Sequence, residues 1–217
     1  MSGNRKSVLR PLRGACLGAA LMTGVTCHAS TVISEVFYDA EGADNGLVFV
    51  ELFGQPGTVL DGLMLEGING KDGAVYRQVA LTGEIPPDGV FVIADDLGDG
   101  SSLVAHADLV AKVDLQNGPD SIVLRNAAAV LDALGYGDVG AGVFAGEGHA
   151  AIDVLAGHSL ARINPRLDSN DNLADFMMLA SPSPGTLEVA SVPLPPALVL
   201  FMSGVAGLMG AGSRLRR

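Results

Sequence analysis

Between residues 31 and 136 the apolar residues fall in eight short runs, 32–38, 47–53, 63–66, 76–81, 90–94, 109–113, 121–125 and 130–136. They are rich in Val, Ile, Leu and Phe, and Gly, Asp, Asn or Pro cut off most of them within a few residues. Runs this short, punctuated by turn formers, fold as strands and leave no room for a long amphipathic helix. Asn69-Gly70, Asp72-Gly73, Asp88-Gly89 and Asn117-Gly118 supply residues that accept positive φ at low cost. Residues 33–38 and 49–52 mix apolar and polar side chains at near-period-two spacing, whereas 90–93 is continuously apolar, as a buried inner strand requires. Eight strands at this spacing predict an all-β sandwich. Ser181-Pro182-Ser183-Pro184-Gly185 is the only linker-like stretch.

The ends have a different character. Arg5, Lys6, Arg10 and Arg13 precede an apolar run, 15–26, and then Cys27-His28-Ala29. Basic, then apolar, then small at −3 and −1 is the order of a secretory signal peptide, which predicts that signal peptidase cuts between Ala29 and Ser30. Cys16 and Cys27 both leave with that segment, so the mature chain has no disulfide, cysteine nucleophile or Cys-ligated zinc. Neither cysteine follows the Leu-small-small triplet of a lipid-attachment site. At the other end, residues 197–212 carry no charge and are followed by Arg214, Arg216 and Arg217. As a helix this run is about 24 Å long against a hydrocarbon core of roughly 30 Å, so neighbouring residues or local thinning complete the span. The terminal arginines stay cytoplasmic, which puts the globular part outside.

Between the ends, six basic residues, Lys71, Arg77, Lys112, Arg125, Arg162 and Arg166, face all 24 acidic ones. Nucleic-acid affinity comes from clustered Lys and Arg releasing counterions, so scattered cations in an acidic field exclude that partner class. The same field favours solubility and attracts cations.

Chemistry-bearing patterns are sparse. Three histidines, His106, His149 and His158, remain after export, and Gly157-His158-Ser159 is the one neighbourhood that pairs a base with a hydroxyl. The chain has no G-x-S-x-G, H-E-x-x-H or G-x-x-x-x-G-K-[ST] pattern. Gly140, Gly142 and Ala145 match G-x-G-x-x-A, but no amphipathic helix follows to receive a pyrophosphate. No cofactor is expected beyond weak Ca²⁺ binding. For that cation the candidates are Asp168, Asn170, Asn172 and Asp175, whose oxygens recur near alternate positions as a hard ion wants. The run opens like an EF-hand loop, yet Leu173 stands where Gly is needed and Leu179 where the closing acid belongs. Asx turns and helix caps use the same residues. Asp95, Asp96 and Asp99 form a second acidic loop, and Asp39, Glu41 and Asp44 a third.

The tail, Val192-Pro193-Leu194-Pro195-Pro196-Ala197, then the apolar run, then Arg214, Arg216 and Arg217, resembles a PEP-CTERM sorting signal of the VPLPA type. That resemblance implies recognition by an exosortase-type membrane protease, which cuts near the proline motif and releases the protein or transfers it to the surface. The helix is then a transient inner-membrane anchor.

The middle resembles a bacterial lamin tail domain, an immunoglobulin-like β-sandwich. Ile33-Ser34-Glu35-Val36 with Tyr38-Asp39, Phe49-Val50-Glu51-Leu52, Leu60-Asp61-Gly62-Leu63-Met64-Leu65 and residues 85–94 carry the match. Residues 117–124 with 131–137 resemble the last hairpin of that domain. Ser159-Leu160-Ala161-Arg162, Asp175-Phe176 and Ser183-Pro184-Gly185-Thr186 resemble its closing segment.

The expected organisation is a signal peptide at 1–29, a sandwich domain at 31–187 and a sorting region at 188–217. The expected function is a secreted, non-catalytic binding or structural module displayed at the cell surface, with extracellular polysaccharide or surface proteins as partners. The alternatives are a carboxylate- or calcium-dependent extracellular hydrolase, and a sandwich held permanently by its membrane helix.

Overall fold

The computed structural model describes residues 31–140 and 142–187. They form ten strands and one helical turn: β1 (Val32–Phe37), β2 (Phe49–Phe53), β3 (Met64–Asn69), β4 (Val75–Ala80), β5 (Val90–Asp95), β6 (Leu109–Ala111), β7 (Asp120–Arg125), β8 (Val130–Tyr136), β9 (Ser159–Arg162), α1 (Asn172–Asp175) and β10 (Phe176–Leu179). Two sheets result, β10-β9-β1-β2-β5-β6 and β4-β3-β7-β8. Pairing is antiparallel except that β6 runs parallel to β5.

Alternation sorts the side chains. Val50 and Leu52 of β2, Ile33 and Val36 of β1, and Phe91 and Ile93 of β5 meet Leu65 of β3, Ile122 and Leu124 of β7 and Leu134 of β8 in one core between the sheets. Each fully buried side chain of this kind stabilises the fold by about 1.5–3 kcal/mol. Tyr38 and Tyr136 stack with ring centroids 4.3 Å apart, tying the end of β1 to the end of β8. Gly70 permits one close approach, since a Cβ there would lie 2.0 Å from the Pro119 carbonyl oxygen.

The eight expected strands are all present, and the sandwich is the architecture observed. Run 109–113 yields only Leu109–Ala111. Two strands went unread, β9 and β10, which are four residues long and too short to show a period. β5 is buried along its whole length, as its continuous apolar run requires.

The linker reading of Ser181–Gly185 is corrected. The outer face of the six-stranded sheet carries a second cluster, Phe37, Phe49, Val90 and Val92, and Leu187 packs against it together with Val104 and Leu47. A sheet with apolar side chains on both faces needs a cover on the second one, and residues 181–187 form a strap that supplies part of it.

The expected signal junction at Ala29 and Ser30, the motif Val192 to Ala197 and the basic tail Arg214, Arg216 and Arg217 lie outside the described residues. Among the described residues no helix is long and apolar enough to cross a membrane.

Candidate functional site

Arg162 ends β9 with its guanidinium fully buried. A charge at this depth needs partners, and all three guanidinium nitrogens find acceptors. Nε donates to the Ile33 carbonyl at 3.1 Å. Nη2 donates to both Asp132 oxygens at 2.9 and 3.0 Å. Nη1 donates to Asp168 at 3.2 Å and Asp175 at 3.0 Å. The Phe176 ring lies 4.7 Å from the guanidinium carbon. Asp132 belongs to β8, so the pair joins the two sheets through their interiors.

Of the four candidate Ca²⁺ ligands, Asp168 and Asp175 therefore meet at Arg162. Asp175 also accepts from the Ser169 amide at 3.0 Å and hydroxyl at 2.7 Å. Asn172 faces another way: its Oδ1 accepts from the amides of Gly135 and Glu147, both at 2.8 Å, and its Nδ2 donates to the Ala133 carbonyl at 2.8 Å. It plugs the edge of β8 and fixes the 146–147 loop. Gly146 is obligatory beside it, because a Cβ there would lie 2.5 Å from that Oδ1. Asn170 is exposed, with φ of 55°. The four do not share a centre.

A different trio converges. Asp132, Glu147 and Asp168 each offer a carboxylate oxygen within 4.8 Å of the other two. Glu147 Oε2 is buried without a hydrogen-bond partner. Burial, with the Asp132 and Asp168 charges, pushes Glu147 up to about 7, against the pull of Arg162. Four carboxyls around one guanidinium leave an excess of negative charge that a proton or a cation relieves. Sequence reasoning missed Asp132, Glu147 and Arg162. The one available signal was an arginine at the end of Ser-Leu-Ala-Arg, since a buried cation demands carboxylates from elsewhere.

The other acidic loops use their carboxylates on amides, some within the loop and some remote in sequence. Asp95 accepts from the Gly46 amide at 2.9 Å and the Asp114 amide at 3.1 Å. Asp96 caps the Gly98 and Gly100 amides, both at 2.8 Å. Asp44 holds the Ala40 amide at 2.8 Å, and Asp39 accepts from Asn117 at 3.0 Å. Burial, with Asp44 and Asp153 nearby, raises the Asp39 pKa. Asn45, Arg77, Asp96, Lys112 and Asp114 line an open polar cleft of about 220 Å³.

The histidines are dispersed. His149 pairs with Asp171 at 2.9 Å, and His158 Nδ1 contacts the Ala156 carbonyl at 3.1 Å. Ser159 donates instead to Glu35 at 2.6 Å, so His158 and Ser159 form no pair with each other. No protein-family model matches the chain, and no curated protein matches it in sequence.

Proposed function

We propose that the chain is an exported binding or structural module, a lamin-tail-like sandwich of immunoglobulin type displayed at the cell surface or in the extracellular matrix. The signal peptide delivers it across the inner membrane. The tail holds it there until an exosortase-type protease cuts near the proline motif. Its role is presentation: the two-sheet core holds acidic loops in fixed conformations for extracellular polysaccharide or a surface protein to meet. The observation that carries this reading is the order of Val192-Pro193-Leu194-Pro195-Pro196-Ala197, a charge-free run and Arg214, Arg216 and Arg217, behind an acidic domain with a basic-apolar leader. Presentation is supported by the carboxylates Asp132, Asp168, Asp175, Asp95, Asp96 and Asp44, which hold Arg162 and loop amides in place.

Intact mass with terminal sequencing, on protein recovered from membrane and extracellular fractions of the host, tests it. A species starting at Ser30 and ending near Pro195, outside the inner membrane, is expected. A species retaining residues 198–217 in the inner membrane overturns the sorting step and leaves a permanently anchored sandwich.

A further inference from the structure

Glu35 of β1 and Glu51 of β2 stand directly opposite one another. They are 2% and 1% exposed. Among the described residues neither forms an ion pair with Lys, Arg or His. Hydroxyls and amides satisfy them instead. Ser34 Oγ donates to Glu51 at 2.7 Å, and Ser159 Oγ to Glu35 at 2.6 Å. The other three bonds come from the strap: the Ser183 amide at 2.9 Å and hydroxyl at 2.7 Å to Glu35, and the Gly185 amide at 2.9 Å to Glu51. The void beside them measures about 10 Å³, the limit for a single water.

A carboxyl buried directly opposite another acid, with no cation paired to it, is costly to ionise, and Glu51 is in that position. Among the described residues no cation pairs with either glutamate to offset this. The turn before β5 brings Asp88, another acid. β5 places neutral Val92 opposite Glu51. The loop before β6 brings His106, which packs on Gly185. β9 contributes Arg162, whose three nitrogens donate to Ile33, Asp132, Asp168 and Asp175 instead.

We propose that residues 181–187 are a proton-gated latch, seated while Glu51, buried opposite Glu35 beneath the strap, holds a proton and lifting when Glu51 ionises. Burial pushes Glu51 up to about 7, opposed by its bonds from Ser34 and Gly185 and reinforced by the charges of Glu35 and Asp88. The seated state binds the proton more tightly than a lifted state whose carboxyls reach water. Seating is therefore favoured most at low pH, weakens as pH rises from the ordinary 4.5 towards about 7, and levels off above that. Gly185 has φ of 77°, and a Cβ there would lie 2.6 Å from His106 Cβ, so only glycine lets the strap seat. Where the surface-display reading holds, a lifted strap adds at most about 23 Å of reach between sandwich and tail.

Hydrogen–deuterium exchange on the full-length chain in detergent, from pH 5.5 to 8.5 and corrected for intrinsic exchange, tests the latch, with β7 peptides as the fixed reference. Protection of the 181–187 peptide is expected to fall about tenfold between pH 6 and 8 while β7 is unchanged. Glu51→Gln keeps the strap protected throughout. Gly185→Ala leaves it unprotected at every pH with β7 intact. Constant wild-type strap protection over the range, or an unaltered pH dependence in Glu51→Gln, overturns the proposal. If Glu51→Gln does not fold, the wild-type profile and Gly185→Ala decide it. The outcome is independent of tail processing, so it stands apart from the mass test above.

Discussion

Arg162 and Asp132 form a bidentate ion pair in which neither side chain has any solvent exposure, and they belong to different sheets. Removing one partner strands the other, which for a buried pair costs about 3–5 kcal/mol, more than the pair itself contributes. Arg162→Met is expected to lower unfolding stability by that amount in a urea titration. The double variant Arg162→Met with Asp132→Leu should recover much of the loss, because the stranded charge is gone. A double variant no better than the single one would show that Asp168 and Asp175 carry the penalty instead.

Asn172 is buried and bonded three times, to Gly135, Glu147 and Ala133. Asn172→Ala leaves those backbone groups without partners, and each unsatisfied buried group costs about 1–3 kcal/mol. Asn172→Asp keeps the acceptor for two amides but sets an oxygen against the Ala133 carbonyl and adds a buried charge beside an acidic cluster, so it should be the harsher change at neutral pH. Thermal melts of the two variants rank them. A milder loss in Asn172→Asp than in Asn172→Ala would mean that the two loop amides outweigh the added charge.

Tyr38 separates packing from hydrogen bonding. Its ring stacks on Tyr136, while its hydroxyl donates to Asp153 at 2.7 Å and accepts from the Val154 amide at 3.0 Å. Tyr38→Phe keeps the stack and orphans the amide, for an expected loss of about 1–3 kcal/mol. Tyr38→Ala adds a cavity between the sheets and should cost about 3–5 kcal/mol. Denaturant midpoints at constant m-value read both.

The strands were legible because each apolar run is short, separated by turn formers and patterned for one or two buried faces. Residues 90–93 gave a buried strand on that ground alone. What escaped was everything set by contacts remote in sequence. Arg162 reads as one more scattered cation until β8 delivers Asp132, 30 residues away, to its guanidinium. Ser183-Pro184-Gly185 has linker composition, and only the pairing of β1 with β2, which sets Glu35 beside Glu51, reveals what it covers. The Asp168–Asp175 stretch showed oxygens at suitable spacing. Spacing does not record which way Asn172 turns.

Glu147 makes stability depend on pH. Burial and the neighbouring acids raise it from its ordinary 4.5 to about 7. The folded state then holds a proton that the unfolded chain releases near pH 4.5, so this carboxyl costs nothing below that pH. Its cost grows from there to about pH 7 and stays constant above. Glu147→Gln carries the neutral form permanently. The variant is expected to match wild type near pH 4.5 and to exceed it in melting temperature at pH 8. Glu51 titrates in the same range, but its effect is read locally at the strap and survives Glu147→Gln. A variant less stable than wild type at pH 8 would mean that the ionised carboxylate is wanted there, and a cation held among Asp132, Glu147 and Asp168 would be the reason to pursue.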